Sequence, residues 1–164
     1  MNKSKTNTSQ QRFEYIVPVT IILVTTVIIL YFFLRPVKIV STVREWNEGY
    51  FFVANFPSTA KARIAWWEEN KDVLKEKYNM PFIGGKYPWQ VLIGETGDGF
   101  QFLSNRASDN DLICFDSLKP AANCIEKKWL LWISHYNETD TSYHTDDERY
   151  IQRGVNAEIR RVKR

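Results

Sequence analysis

Cys114, Cys124, His135 and His144 are the only thiols and imidazoles of the chain, and they follow one another in a single stretch. Residues of these types offer three chemistries: a covalent staple, a redox couple, or part of a metal site. The C-x9-C spacing of "CFDSLKPAANC" is not the C-x-x-C of dithiol redox motifs, nor the short cysteine knuckle of common zinc sites. The histidines follow at wider spacings than the H-x3-5-H of zinc fingers. A disulfide closing a loop of about eleven residues, worth ~3 kcal/mol by loop entropy, fits the spacing best. Two unpaired thiols in a cytosolic domain are the bland alternative.

The acids offer less. "GETGDG" and "SDNDLICFD" lack the D-x-[DN]-x-[DN]-G calcium loop with its terminal glutamate. The stretch "HYNETDTSYHTDDE" collects both histidines with serine and acids, so a hydrolytic set drawn from residues 134 to 148 is the enzymatic alternative. Neither G-x-S-x-G nor H-E-x-x-H accompanies it, and no phosphate-cradling loop occurs. The N-x-[ST] matches at Asn7 and Asn137 are too short to carry weight. The pattern therefore predicts no catalytic residue, cofactor or metal, and a protein that is not an enzyme.

What must position these residues begins at Tyr15. From there to Leu34, "YIVPVTIILVTTVIILYFFL" carries no formal charge, and twenty helical residues span ~30 Å, the hydrocarbon thickness of a bilayer. Pro18 falls in the first turn, and Tyr15, Tyr31, Phe32 and Phe33 lie at the ends where aromatic rings suit the headgroups. The exit "YFFLRPV" is bulky and then charged, unlike a signal-peptidase site, so the span reads as a retained signal anchor. It carries no ionisable residue for a proton or ion path and no GxxxG pair. Lys3, Lys5, Arg12 and the amino terminus nearly balance Arg35, Lys38 and Arg44, and the amino terminus tips the orientation inward. A bonded cysteine pair agrees, because it places its domain in an oxidising compartment.

The expected organisation is a polar cytoplasmic tail at 1–14, a transmembrane helix at 15–34 and a periplasmic domain at 35–164. That domain holds 19 basic and 18 acidic residues, so the positive excess belongs to the flank and gives no footprint for nucleic acid. "VKIVSTVREW" and "YFFVANF" predict a first hairpin turning at "NEG". Ser58 and Thr59 offer caps for a helix running to Tyr78, stopped by "NMP". On it Ala60, Ile64, Trp67, Lys71, Leu74 and Tyr78 share a stripe opposite Glu69, Asp72 and Glu76. "WQVLIGE" and "FQFLS" joined by "TGDG", then "LICF" and "KKWLLWISHY", predict further strands, and "RYIQR" with "AEIRRVKR" a closing hairpin. The fold class is α+β, an antiparallel sheet with one main amphipathic helix on a face. Trp66, Asn70, Lys71 and Trp89 are the candidates for an interaction surface: Lys71 interrupts the apolar stripe, and Trp66 lies off it beside Asn70.

In order along the chain, "RPVKIV", "NFP", "IAWWEENKDVLKEKYNMP", "GDGF", "LICFDSLK", "NCIEKK" and "VKR" resemble the enterobacterial putative membrane protein family, domain of unknown function 943. The resemblance covers nearly the whole chain. It implies a small single-pass inner-membrane protein of enteric bacteria and attaches no activity to any residue. It places Asn70, Lys71, Cys114 and Cys124 inside the family-like pattern, which supports the cysteines as a pair. The acidic stretch from Tyr136 to Glu148 is less family-like. The expected function is binding in the envelope, as a toxin-immunity protein or an accessory subunit of an envelope complex. The expected partners are the bilayer, through residues 15–34, and an envelope protein.

Overall fold

A computed structural model describes residues 18–28, 35–102, 111–118, 122–136 and 139–162. Its contacts divide the chain into two units, Met1–Pro36 and Val37–Arg164.

In the first unit, residues 18–28 form helix α1, with every side chain exposed. Thr25 and Thr26 return their hydroxyls to the carbonyls of Ile21 and Ile22 at 2.7 to 2.9 Å, which satisfies both donors within the helix. Among the described residues no helix is long and apolar enough to cross a membrane. The expected span of 15–34 reaches on both sides of α1 into residues outside those described.

The second unit is α+β. Seven strands form one sheet in the order β1-β2-β3-β6-β7-β8-β9. These are β1 Lys38–Glu45, β2 Glu48–Ala54, β3 Trp89–Glu95, β6 Trp129–His135, β7 Asp140–His144, β8 Arg149–Arg153 and β9 Arg160–Arg161. Helix α2, Ala60–Lys77, lies between β2 and β3 in the chain, and a separate ribbon pairs β4 Leu112–Cys114 with β5 Cys124–Glu126. The expected first and last hairpins are present as β1–β2 and β8–β9.

The sheet is mixed, which corrects the expectation of an antiparallel one: β2 and β3 run parallel, from Glu48 beside Gln90 to Val53 beside Glu95. The cause is the helix. Eighteen residues of α2 carry the chain back ~27 Å, about the length of the strand just left, so the next strand enters in the same direction. Two further expectations need correction. "FQFLS" does not extend the sheet; Gln101 makes only an isolated bridge to Cys124, while residues 103 and 104 lie outside those described. And the polar stretch after His135, for which no strand was expected, contains β7.

Helix α2 begins and ends where its sequence dictates. Thr59 accepts the Ala62 N–H on its hydroxyl at 3.3 Å, and Lys75 and Lys77 sit in the last turn, where cations oppose the helix dipole. Asn79 takes a left-handed φ of 52° and Met80 N–H turns back to the Lys75 carbonyl at 2.9 Å, stopping the helix.

Two apolar clusters hold the domain, one on each face of the sheet. On the first, Ile64, Trp67 and Leu74 of α2 pack with Phe51, Val91, Ile93, Leu131, Ile133 and Tyr143. On the second, Phe115 and Ile125 of the β4–β5 ribbon cover Val43, Tyr50, Phe52 and Leu92. The rings of Phe115 and Tyr50 meet edge to face at 4.8 Å. Gly94 leaves room for the Trp129 ring that crosses it, since a Cβ there would lie a tight 3.1 Å from that ring.

A candidate interaction face on the sheet

Strand alternation decides which polar groups share a face. Glu48, Gln90, Ser134, Ser142 and Ile151 stand in register across five strands, as do Tyr50, Leu92, Trp132, His144 and Arg149. All ten point to the second face. Of these ten the ribbon packs on Tyr50 and Leu92, Ser134 is buried, and Trp132 is 38% exposed.

A hydrogen-bonded chain runs from the covered Tyr50 to the exposed Trp132. The Tyr50 hydroxyl donates to Glu48 Oε2, the Gln90 amide donates to Glu48 Oε1, and Trp132 Nε1–H donates to Gln90 Oε1 at 3.0 Å. Burial and the adjacent Glu48 carboxylate raise the Tyr50 pKa, so the phenol keeps its proton and the chain its direction. On the other side of Trp132 the His144 ring lies at 5.5 Å, tilted by 34°. Burial lowers the His144 pKa and the Arg149 guanidinium lowers it further. The result is an exposed indole whose N–H is already engaged and whose ring is flanked by an imidazole biased to neutrality. It presents a fixed aromatic surface to whatever meets the face. The residues from Lys127 to Leu130, with Trp132 and the chain from His144 to Asp146, line a cleft of about 530 Å³ beside it.

His135 belongs to the opposite face. It stands in register with Trp89 and stacks on that indole at 5.5 Å, the ring planes nearly parallel, with Nδ1 3.1 Å from the Thr141 hydroxyl. Burial lowers its pKa, partly offset by Asp140. The two histidines thus lie on opposite sides of one sheet, so the hydrolytic set drawn from residues 134 to 148 does not assemble at a single place. Among the described residues neither histidine bonds a serine, and no group of three or more His, Cys, Asp and Glu side chains is placed to hold a metal ion.

Cys114 and Cys124 are cross-strand partners in the ribbon and are joined by a disulfide, with no free cysteine in the chain. Of the residues proposed for an interaction surface, three lie on α2. Trp66 packs edge to face on Phe56 at 5.2 Å, and Asn70 returns its amide to the Trp66 carbonyl at 2.7 Å. Lys71 pairs with Glu68 at 2.6 Å. Glu68 also accepts the Tyr143 hydroxyl at 2.8 Å, so Lys71 joins the helix to β7 through one carboxylate. Trp89 is 6% exposed and lies within the core, its Nε1–H without a partner. The structure therefore does not bring these four into one patch.

Sequence reading missed Gln90, Trp132, Glu48 and Arg63. Arg63, nearly buried, donates to the carbonyls of Pro57 and Leu130, each at 2.8 Å, and reaches Asp146 at 3.4 Å. Glu48 and Tyr50, two apart on a strand, were legible as neighbours. Gln90 lies 42 residues from each of its partners, and no local pattern signals that.

The fold and this face define a small α+β domain built on a mixed sheet, with α2 on one side and a disulfide-closed ribbon over part of the other. The chain belongs to the family described as Enterobacterial putative membrane protein (DUF943), whose profile matches residues 9–163. No curated protein and no solved structure matches it.

Proposed function

We propose that this protein is a single-pass inner-membrane protein that works by binding another envelope protein. In this reading residues 15–34 cross the bilayer, residues 1–14 are cytoplasmic and the domain from residue 35 stands in the periplasm. The family description supports the membrane assignment, and the disulfide supports an oxidising compartment.

Trp132 carries the binding reading. Interface energy concentrates in a few rigid aromatic anchors, and an indole held by its own N–H binds a partner with little loss of side-chain freedom. Two roles fit such a face, neutralisation of an incoming toxin and service as an accessory subunit of an envelope complex. Purification of the full chain from mild detergent, with and without Trp132→Ala, tests the reading. A stoichiometric envelope partner that is lost in W132A favours the subunit, and protection of toxin-exposed cells that is lost in W132A favours immunity. A W132A protein of unchanged stability that keeps both properties sinks the reading.

A further inference from the structure

The ribbon and the open face meet at Tyr50. Its ring is covered by Phe115, while its hydroxyl begins the hydrogen-bonded chain that ends at Trp132. The ribbon is slight, with three residues in each strand, and a two-stranded ribbon of that size is marginal alone. Besides its own ladder, the disulfide, the apolar contacts of Phe115 and Ile125, and two backbone hydrogen bonds between Gln101 and Cys124 at 2.8 and 3.0 Å tie it to the domain. The disulfide is also asymmetric, since Cys114 is exposed and Cys124 is fully buried.

We infer that the Cys114–Cys124 bond is a redox latch on the second face: oxidised, it keeps the ribbon over Tyr50 and Phe52, and reduced, it lets the ribbon leave them. This rests on the reading of that face as a binding surface, for which it supplies the regulation. The reductant is a dithiol, protein-borne or small. One of its thiolates attacks the sulfur of Cys114, the exposed residue of the pair, the S–S bond breaks, and Cys124 departs as a thiolate that takes up a proton. The second thiol of the reductant then attacks its own sulfur in the mixed disulfide and expels Cys114, which is protonated in turn. Two electrons pass to the protein, which gains two thiols, and the reductant leaves as a disulfide. Without the cross-link the short ribbon opens as a local unit while the sheet and α2 remain folded. Opening takes the Phe115 ring off Tyr50 and Phe52, which are 6% and 0% exposed in the closed form and keep Trp129 and, at Phe52, also Phe100 as neighbours, and it extends the aromatic surface from Trp132 toward β1.

Hydroxyl-radical footprinting of the full chain in detergent tests this. Three states are compared: oxidised, reduced with dithiothreitol and desalted, and the double variant Cys114→Ser/Cys124→Ser. The expected result is a severalfold rise in oxidation at Tyr50, Phe52 and Phe115 in the reduced and variant states, with Trp67 on the opposite face unchanged. No rise at Tyr50 and Phe52 overturns the inference and leaves the disulfide a plain staple held over by apolar packing. A rise that includes Trp67 also overturns it, because the bond would then support the whole domain. Retained partner capture by W132A would fail the binding reading alone, since the footprints at Tyr50 and Phe52 report the cover itself.

Discussion

His135 and His144 face opposite sides of the sheet, yet the fold treats them alike: burial lowers the pKa of both below the ordinary 6.5. The unfolded chain therefore binds more protons than the folded one as pH falls below that value. Stability is fully present above the unfolded pKa and is lost as pH drops through the window between unfolded and folded values. Thermal unfolding followed from neutral to mildly acidic pH should show a falling Tm, and the double variant His135→Gln/His144→Gln should flatten that slope. An equal slope in the variant would assign the acid sensitivity to other groups. Arg63 makes another prediction. Its replacement by alanine strips the Pro57 and Leu130 carbonyls of a charged donor and should cost about 2–3 kcal/mol in urea unfolding. Asp146→Asn, at the exposed end of the same contact, should cost less than about 1 kcal/mol. Nothing in the neighbourhood of "AKARIAWW" announces Arg63 as a tie, because its acceptors lie in a preceding loop and in β6.

Helix α2 is the element most completely written in its own residues. Of the two expected caps Thr59 is the one used, the helix stops at Lys77 just before the expected "NMP", and of the expected stripe Ile64, Trp67 and Leu74 are buried while Ala60, Lys71 and Tyr78 are half-buried. Thr59→Ala should cost about 1 kcal/mol of stability, and Trp67→Ala about 3–5 kcal/mol, since the fully buried indole leaves a cavity that the sheet cannot close. Both are measurable by denaturant unfolding, and a Trp67→Ala cost near zero would contradict the packing described. Strand β7 is the opposite case. "DTSYH" has one large apolar residue, Tyr143, because only one of its sides meets the core while the other is turned outward beside Trp132. A strand with so little apolar alternation reads as a loop until its neighbours on both sides are known.

For the whole molecule the decisive prediction concerns where the domain stands. An impermeant thiol tag applied to cells with a permeabilised outer membrane should label Cys114 and Cys124 only after reduction, and the chain should stay with the membrane pellet through alkaline carbonate extraction. Labelling that appears only after the inner membrane is lysed would put the domain in the cytosol, and release by carbonate would remove the anchor. Properties carried by contiguous residues were legible in the primary structure: the uncharged run from Tyr15 to Leu34, the bounds of α2, the first and last hairpins, and a cysteine pair spaced for a small loop. Each depends on local periodicity, capping or chain entropy, which a short window contains. Three features emerged only on folding: β2 and β3 run parallel, the sheet separates the two histidines, and Trp132 is held outward by Glu48 through Gln90. Those outcomes turn on the register between distant strands, where a shift of one residue exchanges the faces of every side chain. That register is set by the packing of the whole core around α2 and the disulfide-closed ribbon.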